Sequence, residues 1–138
     1  MNYRKVLLIF ILSFFLNFIW ENAHSYLYTD YKDGRITETI LLRASVVDAI
    51  IIIFMTLPFV FIERLRNESW IIVPIGVLIA IIIELYAVRT GRWAYNEYMP
   101  LIPILSVGFT PLIQLGLLGY LSYRYIVNKN GAIIQQHE

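Results

Sequence analysis

The sequence predicts an all-α integral membrane protein whose four transmembrane helices form an up-down bundle. Of its 138 residues, 59% are hydrophobic and 15% are charged, whereas a typical soluble domain is about 25% charged. Four apolar stretches are long enough to cross a bilayer, for which about 20 helical residues span about 30 Å. Aromatic residues, including ten Tyr and three Trp, lie where these stretches meet polar sequence, as in an interfacial belt. We expect a single domain covering residues 1–138.

The first predicted span covers residues 6–28 and follows Arg4 and Lys5. This basic start, the apolar run and Ala23-His24-Ser25 also fit a signal peptide with its cleavage site. However, the apolar run is long for a signal peptide, and Glu21 lies just before the supposed cleavage point. We therefore favour a retained membrane helix.

The other predicted spans cover residues 39–62, 70–88 and 101–127. Between the first two spans lies a polar turn in which we expect Gly34 to supply the permissive backbone. In the fourth span, Pro111 has no backbone N–H to donate to the carbonyl of Val107. We therefore expect a kink that leaves this carbonyl free midway through the bilayer.

The distribution of basic residues predicts the orientation. An even number of spans places both termini on one side, together with Arg4, Lys5, Arg64, Arg66, Arg124 and Lys129. The opposite side receives Lys32, Arg35, Arg89 and Arg92. Because cytoplasmic loops carry more Lys and Arg, we predict a multi-pass protein of the bacterial inner membrane with both termini in the cytoplasm.

Composition and motifs exclude several classes of function. The chain has no Cys, which excludes disulfides, thiol catalysis and Cys-ligated zinc. Its net charge of +1 gives no reason to expect a nucleic-acid partner. Phosphate loops, Gly-rich dinucleotide motifs and nucleophile elbows are absent from the sequence. We predict no cofactor, and we expect membrane lipids, a hydrophobic small-molecule ligand and further copies of the chain as partners.

Ionisable residues inside or at the ends of the predicted spans are the strongest functional signal. A charged side chain in the middle of a bilayer costs roughly 2.5–3.5 kcal/mol even on insertion scales. The residues concerned are Glu21, His24, Arg43, Asp48, Glu84, Arg89 and Arg92. They lie in the outer halves of the predicted spans, which points to a polar site opening toward the outer leaflet.

The first span carries polar side chains at helical spacing. Asn17, Glu21, His24 and Tyr28 lie at i, i+4, i+7 and i+11, on one stripe of a helix that should face the bundle. Glu-x-x-His is also a spacing of metal ligands, but carboxylate-bridged metal sites need two such motifs. The other histidine is His137 in the tail, so we predict a proton-transferring Glu–His pair and no metal.

In the second span, Arg43 and Asp48 are five residues apart and do not share a helix face. We expect Arg43 to pair with Glu21 or Glu84, which lie at a similar depth. Asp48 is deeper, at the level of Gln114 in the fourth span. An alternative is that all these groups are structural, because helices in lipid associate partly through polar contacts.

These considerations define a predicted site. The candidate catalytic residues are Glu21, His24, Asp48 and Glu84. The candidate substrate-binding residues are Arg43, Arg92, Trp93, Tyr95 and Gln114. The arginines would hold a head group or stabilise charge, and the aromatic rings would shield a developing cation.

Several short motifs resemble those of a bacterial family of small four-span membrane proteins to which no activity is assigned. The resemblance runs from residue 17 to residue 114 and is most specific in Gly91-Arg92-Trp93-Ala94-Tyr95 followed by Met99-Pro100-Leu101-Ile102-Pro103. It also includes Asn17-Phe18-Ile19-Trp20-Glu21 and Asp48-Ala49. Val47 stands where the family pattern has Gly, which puts tight helix packing at that point in doubt.

The chain is also similar, at the level of fold, to the membrane-embedded lycopene cyclases and carotenoid hydratases. The shared pattern is a span ending in Glu, a Gly-aromatic-x-Tyr turn and a span bearing Pro. This similarity implies acid–base chemistry on a polyene lipid, in which a membrane carboxyl protonates a carbon–carbon double bond. The cyclases carry paired acidic residues after a Pro, and no such pair follows Pro100, Pro103 or Pro111 here.

Three functions therefore stay open at the level of sequence. The first is an intramembrane enzyme that cyclises, isomerises or hydrates an isoprenoid-type lipid by proton transfer. The second is a module that binds or transports a lipid or small ligand, although the inner halves of the spans offer no second polar gate. The third is a non-catalytic subunit or assembly factor whose polar residues are structural.

Overall fold

The protein is mostly helical, as predicted. The computed structural model describes the backbone of residues 2–135 and the side chains of residues 2–128. About 76% of the chain is helical. The four α-helices are α1 (Asn2–His24), α2 (Glu38–Phe61), α3 (Ile72–Arg89) and α4 (Phe109–Gln135).

Three helical segments in the described part of the chain are long and apolar enough to cross a membrane. They are Asn2–Leu27, Glu38–Phe61 and Glu63–Arg89. The third begins with 3₁₀-helical residues, Glu63–Ile71, which lead into α3. In α4, Gln114, Arg124 and several tyrosines lower the hydropathy, and α4 is not among these three segments.

Two connections form a small sheet at one end of the bundle. Strand β1 (Tyr28–Tyr31) follows α1, strand β2 (Trp93–Tyr95) follows α3, and the two pair antiparallel. Tyr28 lies opposite Tyr95, and Tyr31 lies opposite Trp93. The sheet therefore ties the α1–α2 connection to the α3–α4 connection on the same side of the molecule.

The predicted first span ends on one residue, Tyr28, that is not helical. Helix α1 ends at His24, a 3₁₀ turn covers Ser25–Leu27, and Tyr28 belongs to β1. Tyr28 therefore does not continue the helical stripe of α1. The cause is the pairing with β2, a contact distant in sequence that overrides the local helical periodicity.

The beginning of the fourth span was also wrong. Residues 101–108 form a second hairpin, with β3 (Leu101–Ile102) paired to β4 (Val107–Gly108), and α4 begins only at Phe109. Pro103 favours a turn here, and Ser106 takes a positive φ of 54°. Pro111 then lies in the first turn of α4, where a backbone N–H has no helical partner in any case. The expected free carbonyl in mid-membrane does not arise.

The turn after β1 has a different backbone from the one expected. Positive φ angles occur at Lys32 (50°) and Asp33 (59°) and not at Gly34. Tyr31 and Gly34 exchange two backbone hydrogen bonds of 3.0 Å. This is the geometry of a two-residue hairpin turn, whose twist needs left-handed backbone at both central residues.

Helix packing places an apolar core at the end of the bundle remote from the β1–β2 sheet. Helix α1 packs along α2, α3 packs along α4, and α4 also contacts α1. The core side chains there include Ile9, Ile52, Val60, Ile72, Leu118 and Tyr123. The buried His24, Glu84 and Gln114 lie toward the sheet end, and this placement positions the site.

Candidate functional site

Gln114 is the centre of a buried polar network that joins three helices. It lies one and a half turns into α4 and is 3% exposed. Its Nε2 donates to Asn17 Oδ1 at 2.9 Å, to Glu21 Oε1 at 2.7 Å and to Asp48 Oδ2 at 2.9 Å. Asn17 in turn donates to the Ser13 carbonyl at 2.7 Å. One amide thus holds side chains of α1 and α2 around α4.

The carboxyl groups of Glu21 and Asp48 face each other across this network. Both accept from the same Gln114 nitrogen, at 2.7 and 2.9 Å, so the two carboxyls lie side by side. Neighbouring carboxylates without a cation between them repel each other, and this repulsion is relieved when one of them binds a proton. The arrangement is therefore one in which two carboxyls can share a proton.

His24 is buried behind Glu21 at the end of α1. Its Nε2 lies 3.4 Å from Glu21 Oε2, and its Nδ1 lies 3.3 Å from Thr110 Oγ1. The imidazole is thus held from both sides, by α1 and by the first turn of α4. The predicted Glu–His contact forms, with the His24 ring placed between Glu21 and Thr110.

Glu84, on α3, is held by the β1–β2 sheet. It is 5% exposed, and its Oε2 accepts from Trp93 Nε1 at 3.1 Å and from the Tyr95 hydroxyl. Trp93 and Tyr95 are two residues apart in β2, so their side chains project to the same face of the strand. The two donors fix the orientation of this carboxyl.

Two tyrosines of the sheet are held in their neutral form. Burial, and after it the nearby carboxyls of Glu84 and Glu21, raises the pKa of the Tyr28 phenol. Burial and its hydrogen bond to Glu84 raise the pKa of Tyr95. Both phenols therefore act as neutral hydroxyls across the physiological pH range.

A cavity lies between the three carboxyls, and we call it the acid-lined cavity. Glu21, Asp48, Glu84, Trp93 and Gln114 line it together with apolar side chains, among them Ile40, Leu41, Ala44, Ile83 and Leu115. The cavity has a volume of about 130 Å³, which is room for several waters or part of a ligand. No Lys or Arg among the described side chains lines it.

The two predicted binding arginines lie elsewhere. Arg43 and Arg92 are exposed, and neither borders the acid-lined cavity. Within the described part of the chain, neither forms an ion pair with Glu21 or Glu84, and Arg92 lies over the Tyr86 ring at 5.8 Å. The expected pairing of Arg43 was wrong because a position five residues from Asp48 turns away from the bundle.

Sequence reasoning left three contributors out of the predicted site. Asn17 carried a signal, since it lies four residues before Glu21 on the same helical stripe. Tyr28 lines the cavity from β1, and Thr110 contacts His24. Tyr28, from strand β1, and Thr110 reach the site through tertiary contacts that local sequence patterns do not predict.

The described residues offer no set of three His, Cys, Asp or Glu side chains arranged to hold a metal ion. No family model, curated protein or solved structure matches the chain at a significant level. We therefore infer function from the geometry of the site.

Proposed function

We propose that this is a four-span protein of the inner membrane, with both termini in the cytoplasm, that performs acid–base chemistry on an isoprenoid-type lipid. The fourth span would be α4, which has 27 residues. Packing against α1 and α3 shields Gln114 and Ser122 from lipid. A buried helix does not need the hydropathy of a lipid-facing one.

The observation that carries the proposal is the pair of facing carboxyls at the wall of an otherwise largely apolar cavity. Glu21 and Asp48 both accept from Gln114 Nε2, at 2.7 and 2.9 Å, and a proton shared between the two carboxyls would supply a general acid and its conjugate base in one place. The apolar part of the wall fits a hydrocarbon. Proton transfer to a hydrocarbon requires such an acid in a space that excludes bulk water.

The reaction balances without an oxidant, a reductant or a co-substrate. The carboxylic acid of the pair donates its proton to one carbon of a carbon–carbon double bond. The π electrons form the new C–H bond and leave a cation on the other carbon. A carboxylate then removes a proton from a neighbouring carbon, and that electron pair forms a double bond at a new position. The net change is an isomerisation, or a cyclisation when a second double bond attacks the cation.

Aromatic rings beside the cavity support a cationic intermediate. Tyr28, Tyr31 and Trp93 all line the cavity, and the Tyr31 and Trp93 rings stack with centroids 6.3 Å apart. A cation over an aromatic face is stabilised by about 0.5–2 kcal/mol, more when desolvated. Glu84, fixed by Trp93, lines the same cavity.

The Gln114 network also favours a second candidate function, that of a non-catalytic membrane subunit. Interhelical hydrogen bonds between buried polar side chains hold helix bundles together in lipid, and Gln114 makes three of them. On this alternative the carboxyls serve assembly, and the cavity is empty of any specific lipid.

Mass spectrometry of co-purifying lipids separates the two functions. Wild type is compared with the double variant Glu21→Gln, Asp48→Asn and with Glu97→Gln, a control at an exposed position. We expect an isoprenoid-type lipid that wild type and Glu97→Gln retain and the double variant loses. Bulk phospholipid alone in all three samples would contradict the proposal and favour the subunit.

A further inference from the structure

A second cavity, which we call the polar antechamber, adjoins the acid-lined cavity at the sheet end of α1 and α2. Its volume is about 320 Å³. Its walls come from the end of α1, from β1 and from the start of α2. It differs from the acid-lined cavity in holding a basic side chain, Arg35.

The two cavities share part of their walls. Ser25, Tyr28, Ile36 and Leu41 line both of them. The shared residues form a boundary with a hydroxyl side, Ser25 and Tyr28, and an apolar side, Ile36 and Leu41. A ligand that occupies the acid-lined cavity and extends past this boundary enters the antechamber.

The antechamber offers both donors and acceptors of hydrogen bonds. Among the described side chains, no carboxylate lies within ion-pair distance of Arg35, so its guanidinium can donate to a ligand. Asn22 uses its Nδ2 for the Phe18 carbonyl at 2.9 Å, which leaves its amide oxygen as an acceptor. Glu38 adds a carboxylate to the wall. This carboxylate disfavours a phosphate, whereas a hydroxyl group both donates and accepts.

We propose that the polar antechamber binds the hydroxyl-bearing head of an amphiphilic isoprenoid whose apolar chain reaches into the acid-lined cavity. This inference rests on the proposed function and narrows its substrate class from any isoprenoid hydrocarbon to an isoprenoid alcohol. The head fixes the register of the chain, and the register decides which double bond lies at Glu21 and Asp48. Arg35 is thus a binding residue that sequence reasoning did not select.

Two probes with the same chain test the inference. Tritiated farnesol carries a hydroxyl head, and tritiated farnesene is the corresponding hydrocarbon. Purified full-length protein in detergent micelles should bind farnesol about tenfold more tightly than farnesene, since hydrogen bonds to charged groups are worth about this factor or more. Arg35→Leu should remove most of the preference and leave farnesene binding unchanged, which also shows that the variant is folded. Arg89→Leu, an exposed cation that lines neither cavity, should keep the preference.

The outcomes are distinguishable from a failure of the proposed function. Equal binding of both probes by wild type, or a preference that Arg35→Leu leaves unchanged, would overturn the head-group site. In those cases the acid-lined cavity still binds an isoprenoid chain, so the proposed chemistry stands. Binding of neither probe would overturn the head-group site and count against the proposed substrate class as well.

Discussion

At the scale of single residues, the site depends on the amide of Gln114. An amide has two N–H groups, and here its nitrogen serves three acceptors on α1 and α2. Depth in the membrane predicted that Gln114 lies level with Asp48. The meeting with Asn17 and Glu21 depends on how the helices are rotated, which the sequence does not specify.

Replacing Gln114 tests its structural role. In Gln114→Leu, the buried Asn17 oxygen and the half-buried carboxyls of Glu21 and Asp48 lose their donor, and an unsatisfied buried group costs about 1–3 kcal/mol. We expect a clear drop in melting temperature in detergent micelles. Ser122→Ala on the same helix is the matched control, because the Ser122 hydroxyl is buried without a hydrogen-bond partner and its removal should be close to neutral. An unchanged melting temperature in Gln114→Leu would contradict the network.

At the scale of elements, the sequence predicted four helices, and the described residues form four. The misassigned segments are those where strand pairing decides the conformation, with the distant β2 for Tyr28 and within a local hairpin for Leu101. Local hydropathy continued α1 to Tyr28 and started the fourth span at Leu101, whereas both segments form strands. Short strands of two to four residues leave little periodicity to detect.

Helices α3 and α4 approach each other closely at Gly76 and Gly116. A Cβ at Gly76 would lie 2.3 Å from the Cα of Gly116, so Gly76→Ala must push the two helices apart. A Cβ at Gly119 meets only side-chain atoms at 3.4 Å or more, so Gly119→Ala should be tolerated.

We expect Gly76→Ala to lower the melting temperature in micelles. It should also reduce the amount of co-purifying lipid, because Ala80, Glu84 and Leu115 line the acid-lined cavity and lie on the displaced helices. Overpacking of this kind typically costs about 1–3 kcal/mol. If Gly76→Ala and Gly119→Ala have the same melting temperature, the close approach of α3 and α4 is wrong.

At the scale of the whole molecule, the protein has a polar end, which carries the β1–β2 sheet, and an apolar end. The Glu21, Asp48 and Glu84 carboxyls lie toward the end that holds β1 and β2, and the core fills the other end. Composition predicted this division, since the ionisable residues lie in the outer halves of the spans. It did not predict that Arg43 and Arg92 remain outside the cavity.

Orientation in the membrane can be measured directly because the chain has no Cys. Single cysteines are placed at Asp33 in the β1 turn and at Tyr3 near the start of α1, both exposed. We expect a membrane-impermeant maleimide to label Asp33→Cys in intact cells and Tyr3→Cys only after permeabilisation. Labelling of both positions from outside would place Tyr3 and Asp33 on one side of the membrane and contradict a membrane-spanning α1.

The most direct test of the account is transfer of deuterium from heavy water to an isoprenoid. Carboxyl protons exchange with solvent, so on the proposed mechanism the proton shared by Glu21 and Asp48 becomes a deuteron that is delivered to carbon. Purified wild type in micelles made with heavy water should therefore introduce carbon-bound deuterium into an added isoprenoid, without the background from lipid synthesis in living cells. Asp48→Asn should not, although its yield should stay within about twofold of wild type because the amide fills the same volume and still accepts from Gln114. Deuterium incorporation that is equal in Asp48→Asn and wild type, or absent from both, would contradict proton transfer by this pair.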